Sequence, residues 1–279
     1  MASESNVPAH DEALTPMAPG PLLGLANGAL EVVLAPAAGG RVAQIRYGGL
    51  DWLVNHDEQT QAMIAWGSYP MLPWAGRVRG GRFPWHGEAR ALPANLGGHA
   101  IHGVGFALPW QVGAHSPDRA ELTLELPRDE RWPFGGQARQ RIEVGERELR
   151  MELTLTADAS DMPAVIGWHP WFRKPDRLEF EPGRCYPRDA DGIAHLPLVE
   201  PPPSPWDDCF INDRPVILHR GGRRIRLTSN CSHWVVYDET SHATCVEPQT
   251  GPPDAFNLGL ATPLARGATL SAWFRIEWI

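Results

Sequence analysis

Apolar and polar positions alternate wherever the chain looks regular. Glu121-Leu122-Thr123-Leu124-Glu125-Leu126 repeats with period 2, and Leu149, Met151, Leu153 and Leu155 share one face while Arg150, Glu152 and Thr154 share the other. That period marks a strand with one buried and one wet face. Arg224 to Thr228, Trp234 to Tyr237 and the C-terminal run Leu270 to Trp278 continue it. No window carries a long apolar stripe at helical spacing, and 28 glycines and 28 prolines among 279 residues interrupt helices throughout. Many short strands joined by turns predict an all-β chain, as a sandwich or a barrel.

Turn chemistry sets the punctuation. Asn27-Gly28, just before Glu31-Val32-Val33-Leu34, predicts a type I′ hairpin, and Gly48-Gly49 predicts the next turn. Leu196 to Trp206 holds Pro197, Pro201, Pro202, Pro203 and Pro205, too many for a central strand, so it reads as an extended surface loop leading into Asp207. Residues 1–20 are rich in Ala, Pro, Ser and acidic side chains without periodicity and read as a mobile N-terminal tail. Residues 21–279 then form a single domain, since all-β chains of this length often do. No fixed repeat points to a propeller or a solenoid.

Charge and cysteine usage narrow the partners. A net charge of −8 with intermixed signs disfavours a phosphate-tracking surface, so no nucleic-acid partner is expected. No stretch approaches the roughly 20 apolar residues of a membrane span, and the first 20 residues lack a signal peptide's basic and apolar regions, so the expectation is a cytoplasmic protein with no membrane partner. Cys185, Cys209, Cys231 and Cys245 are too widely spaced for a Cys-x-x-Cys clip and read as free buried thiols.

Several polar residues sit where the backbone is constrained. Glu247 precedes Pro248 and is therefore held extended; period 2 puts it on one face with Ala243 and Cys245, whose small side chains leave room for a pocket. The plainer alternative is an exposed carboxylate at a strand end. His169 also precedes a proline and lies between Trp168 and Trp171, where desolvation favours its neutral form unless a carboxylate is near. The plainer alternative is a hydrogen-bonded core histidine.

His102 follows Gly97-Gly98 and precedes Gly103, and these glycines let the backbone approach a ligand. His99 and His102 also raise a metal, but three positions apart on an extended segment they face opposite ways and lack a third ligand nearby, so no metal is expected. Arg77, after Trp74-Ala75-Gly76, suits a hydroxyl-lined, ring-faced ligand as well as it suits a structural ion pair. Asp207 is either an acceptor for hydroxyls or a turn residue before a strand.

Five motifs, Gly76-Arg77-Val78, His102-Gly103, Gly167-Trp168-His169-Pro170-Trp171-Phe172, Asp207-Asp208-Cys209-Phe210 and Glu247-Pro248, occur in the order and wording of the aldose 1-epimerase (galactose mutarotase) family, which the chain resembles from about Pro70 to Asn257. Trp171 stands where tyrosine is common in that family. The resemblance implies a large antiparallel β-sandwich of the galactose mutarotase type and an isomerase that interconverts the α and β anomers of an aldose. It assigns Glu247 as general base and His169 as general acid. It makes His102, Arg77 and Asp207 the substrate-binding residues.

Ring opening and reclosure needs one base and one acid, so no cofactor is implied. The implied partner is a monosaccharide, and the implied assembly is a monomer or homodimer. Two alternatives stay open. One is a hexose-phosphate mutarotase using Arg79 and Arg82; the other is a non-catalytic carbohydrate-binding sandwich in which some of the 12 tryptophans serve as platforms.

Overall fold

The computed structural model describes residues 11–58 and 61–279. Two large antiparallel sheets carry the chain. The eight-stranded sheet runs Gln111–Ser116, Arg119–Glu125, Gln137–Val144, Glu148–Thr156, Thr269–Trp278, Arg223–Ser229, Val216–Arg220, Arg177–Glu179. Its strands keep the expected alternation: Gln137–Val144 buries every second residue, as does Glu148–Thr156. One face of this sheet is wet and the other is packed.

The ten-stranded sheet runs Leu23–Asn27, Leu30–Ala35, Arg41–Tyr47, Ser68–Met71, Gly167–Arg173, Ala243–Gln249, His233–Tyr237, Asp207–Ile211, Cys185–Tyr186, with Leu50–Asp51 added beside Arg41–Tyr47. Its central strands are buried on both faces, and Ala243–Gln249 has no exposed residue. One face meets the eight-stranded sheet, where Phe274 packs against Trp168 at 5.9 Å and Trp234 at 6.2 Å between ring centroids. Successive side chains of a strand point to opposite faces, so His169 and Val235 project away from that core. The chain is thus all-β and built as a sandwich of antiparallel sheets, as the strand pattern and the resemblance imply.

Two local expectations change. Asn27 pairs with Leu30, which leaves Gly28-Ala29 as the two-residue loop with Gly28 alone at positive φ; that is the type II′ arrangement rather than I′. Gly48 and Gly49 both have positive φ between the paired Tyr47 and Leu50, as a type I′ turn requires. The tail expected over 1–20 is not free over its second half. Ala13 is fully buried, and the carbonyls of Ala13 and Thr15 accept from the backbone N–H of Ile64 and Met63 at 3.2 and 2.8 Å. The first ten residues lie outside the described ones. Leu196 to Trp206 is irregular, as its prolines require.

Tryptophan serves mainly the interior: Trp52, Trp66, Trp132, Trp168 and Trp234 are fully buried, and Trp171 alone lines the site described below. Trp85, Trp206 and Trp273 are half-buried, so few rings outside the cleft are open to serve as platforms. Among the described residues, no helix is long and apolar enough to cross a membrane.

Candidate active site

A cleft of about 280 Å³ opens on the face of the ten-stranded sheet away from the second sheet. Adjacent central strands form its floor. The register that pairs Gly167 with Gln249 and Trp171 with Cys245 sets His169 opposite Glu247. Pro170 and Pro248 contribute no N–H to the ladder there. His169 Nε2 lies 3.2 Å from Glu247 Oε1, and both residues are at most 5% exposed.

Aromatic packing fixes the imidazole. Tyr69, opposite His169 on the neighbouring strand Ser68–Met71, stacks on it at 4.8 Å and 22°. Trp171, two residues along the same face, stacks at 5.3 Å and 23°. Both rings are pinned in turn, because Trp171 Nε1 and the Tyr69 hydroxyl donate to the Ile64 carbonyl at 2.7 and 3.1 Å. Behind them Arg41 is fully buried and donates to the carbonyls of Ala38, Met63, Trp66 and Phe106, tying the loops on this side of the cleft together.

His102 enters from a loop that only glycine permits. A Cβ on Gly103 would lie 1.8 Å from the Leu72 carbonyl oxygen, and φ there is +79°. His102 itself is at φ +59°. Its Nδ1 accepts from the Gly76 N–H at 3.2 Å, so in the neutral ring Nε2 carries the proton and faces the cleft as a donor. The ring stands nearly perpendicular to His169, 4.9 Å between centroids.

Arg77 lies on the short strand Arg77–Val78, and its backbone carbonyl accepts from the Asp254 N–H at 2.8 Å, which anchors the segment following Glu247. Among the described residues no side chain accepts from its guanidinium, which lines the cleft. Trp74, expected beside it, packs on Trp132 and Phe256 in the core instead. Asp207 opens the strand Asp207–Ile211 and faces the cleft. All five residues singled out from the sequence therefore line one cavity.

Sequence reading missed a further charged residue of the cleft. Arg188 forms an ion pair with Asp207 through Nη1, and its Nε lies 3.4 Å from Asp208. Its loop also brings Gly192 and Ala194 to the cleft and is latched by Arg79, which pairs with Asp189 and, at 3.4 Å, with Asp191. Arg79 is thus committed to a loop, and Arg82 is exposed and does not line the cleft. Only the generic turn composition Asp189-Ala190-Asp191-Gly192 marked this segment.

Burial dominates the electrostatics. It pushes the Glu247 carboxyl well above the carboxylate range; the nearby Asp207 adds to that and Arg77 opposes it. It pushes His169 down to about 3 and His102 well below its ordinary value. Asp207 is raised by burial, against the pull of Arg188 and Arg77. For Glu247 and His169 both shifts disfavour charge, so the pair titrates as one unit that holds a single proton with no net charge.

A model of the family described as aldose 1-epimerase matches residues 21–277. Over 107 residues the chain is 31% identical to the uncharacterized protein YphB of Escherichia coli K12, a stretch covering 37% of this chain and 36% of that one, so the match spans about a third of the relative's length. Among solved structures it resembles an Escherichia coli K12 protein provisionally assigned as an aldose 1-epimerase (TM-score 0.82, 19% identity, 93% of this chain and 99% of that one). It also resembles galactose 1-epimerase from Lactobacillus acidophilus (TM-score 0.78, 18% identity, 92% and 94%). The match across nearly the whole chain, on a shared all-β fold, makes this protein a member of the aldose 1-epimerase family.

Proposed function

We propose that the cleft interconverts the α and β anomers of a neutral aldose by general acid–base catalysis. The observation that carries this is the buried Glu247–His169 pair, 3.2 Å apart on the cleft floor. Glu247 removes the proton from the anomeric hydroxyl while His169 protonates the ring oxygen; the C1–O5 bond breaks and the open-chain aldehyde forms. Rotation about C1–C2 and the reverse proton transfers close the other anomer. Each transfer of this kind is worth about 10²–10⁴-fold when positioned.

The proton count suits a dry site. At rest burial favours carboxylic acid and neutral imidazole; passage of that proton from Glu247 to His169 gives the carboxylate and imidazolium that open the ring, and opening returns the pair to carboxylic acid and neutral imidazole. Both states hold one proton and no net charge, so neither leaves an isolated charge in low dielectric. His102 donates from Nε2 to a sugar oxygen, Arg77 donates to hydroxyls, and Asp207, held by Arg188, accepts from them.

The charge inventory favours a neutral sugar over a phosphate. Arg188 is engaged by two carboxylates and Arg79 by two more, which leaves Arg77 to meet an anion, with Glu239 also at the cleft. A phosphate dianion needs several convergent donors to offset its desolvation. Four buried free thiols fit a reducing compartment, and we assign the reaction to the cytoplasm on that basis.

Anomer equilibration of freshly dissolved α-galactose, α-glucose and their 6-phosphates, followed by polarimetry or NMR, tests the reading. The neutral sugars should equilibrate faster with protein than without it, and faster than the phosphates. No acceleration of any aldose would overturn it, and a clear preference for a 6-phosphate would reverse the substrate assignment.

A further inference from the structure

Cys245 is buried two residues before Glu247 on the same face of the central strand. It plays no part in the chemistry above. One atom each of His169, Cys245 and Glu247 lies within 4.8 Å of the other two. We propose that this trio binds a thiophilic divalent ion, zinc being the best match, and that the ion blocks the cleft.

The donor set and its spacing carry the proposal. Imidazole, thiolate and carboxylate are the three zinc ligand types, and a three-ligand site keeps its fourth position open. Two ligands at about 2.0–2.1 Å on a tetrahedral ion stand about 3.3 Å apart; the His169–Glu247 contact is 3.2 Å. With every separation within 4.8 Å and ligands on a tetrahedral ion about 3.3–3.6 Å apart, the trio needs to close by no more than about 1.5 Å. The open position faces the cleft, where water completes the sphere.

Charge balance also favours the ion. A divalent cation with one thiolate, one carboxylate and one neutral imidazole has no net charge, so a site this deeply buried need not hold an isolated charge. Binding displaces two protons, one from the thiol and one from the Glu247–His169 pair, and the ion takes their place.

One feature separates this from a resident metal centre. His169 Nδ1 is buried and, among the described residues, has no hydrogen-bond partner, whereas metal-ligating histidines usually donate from the second nitrogen to an acceptor. The site is accordingly reversible and of moderate affinity, an inhibitory site in which ion and sugar exclude each other. Binding stands on the geometry alone; inhibition rests on the proposed acid–base reading.

Cobalt(II) separates the two. Added to the metal-free full-length protein, it should give a thiolate-to-cobalt charge-transfer band with tetrahedral visible bands. Cys245→Ser, His169→Asn and Glu247→Gln should each abolish or strongly weaken the charge-transfer band, and Cys209→Ser should keep it. This arm needs no activity. Zinc should inhibit mutarotation competitively with the sugar, and Cys245→Ser, normalised to its own metal-free rate, should need at least about tenfold more zinc for half inhibition. A wild-type protein without the thiolate band, or a band that survives Cys245→Ser, overturns the site. A normal band with no zinc inhibition overturns the blocking role and points back to the catalytic assignment. Because His169→Asn and Glu247→Gln retain all four cysteines, a Cys245→Ser variant that fails to fold still leaves the site testable.

Discussion

Arg188→Ala tests the proposed sugar-binding role of the cleft. In the protein Arg188 bridges Asp207 and Asp208, with side chains of Arg188 and Asp207 28% and 29% exposed. Removing it leaves two neighbouring carboxylates together, one already raised by burial. Asp207 then shifts further toward its neutral acid and loses strength as an acceptor for sugar hydroxyls.

The magnitude follows from that partial burial. Fully exposed pairs are worth at most about 1 kcal/mol, and breaking fully buried ones costs about 3–5 kcal/mol. A pair roughly 30% exposed lies between, at about 2 kcal/mol, or about 30-fold in binding. The loss should appear mainly in KM, because Arg188 does not touch the Glu247–His169 pair, and Arg188→Lys should recover part of it as a point charge on one carboxylate. Initial mutarotation rates against sugar concentration measure this, with thermal unfolding to exclude a folding defect. A folded Arg188→Ala protein with unchanged KM would show that Arg188 does not support binding in the cleft.

Two further outcomes concern stability. Burial depresses His233 to about 4, so below its unfolded value near 6.5 the unfolded chain takes up a proton that the folded one resists; stability is complete above that value and falls as pH drops toward 4. About 2 kcal/mol is lost by pH 5, and His233→Gln should flatten the fall in unfolding midpoint between pH 7 and pH 5 by several degrees, whereas an unchanged slope would exclude His233 as a source. Gly103→Ala forces a Cβ to 1.8 Å from the Leu72 carbonyl at positive φ, and calorimetry should show a midpoint lower by at least about 5 °C; a wild-type midpoint would mean the loop adapts freely.

Legibility in the sequence followed solvent exposure. Strands such as Gln137–Val144 and Glu148–Thr156 have one wet face, so their period is written in the residues. The central strands Ser68–Met71, Gly167–Arg173 and Ala243–Gln249 are buried on both faces, carry prolines and show no alternation. Their side-by-side order joins residues about a hundred positions apart, which no local pattern encodes.

The five candidate residues that line the cleft were singled out through motif wording and through the constraint that proline and glycine place on the backbone. Arg188 and Arg41 had no such marker. One acts through a loop that folds over the cleft and the other through four carbonyls from separate segments, so their roles exist only after folding. The polar composition of the N-terminal segment hid Ala13, whose small side chain docks by backbone pairing rather than by a hydrophobic stripe.

If Glu247 is the base of an anomer-interconverting pair, its carboxylate is indispensable. Glu247→Gln keeps the volume of the side chain but cannot take the anomeric proton. Exchange spectroscopy on galactose already at anomeric equilibrium, with wild type and with the folded variant, reads the step without any coupling enzyme. Wild type should show measurable α–β exchange and Glu247→Gln a rate at least about 10²-fold lower; exchange at the wild-type rate in the folded variant would show that Glu247 is not the base.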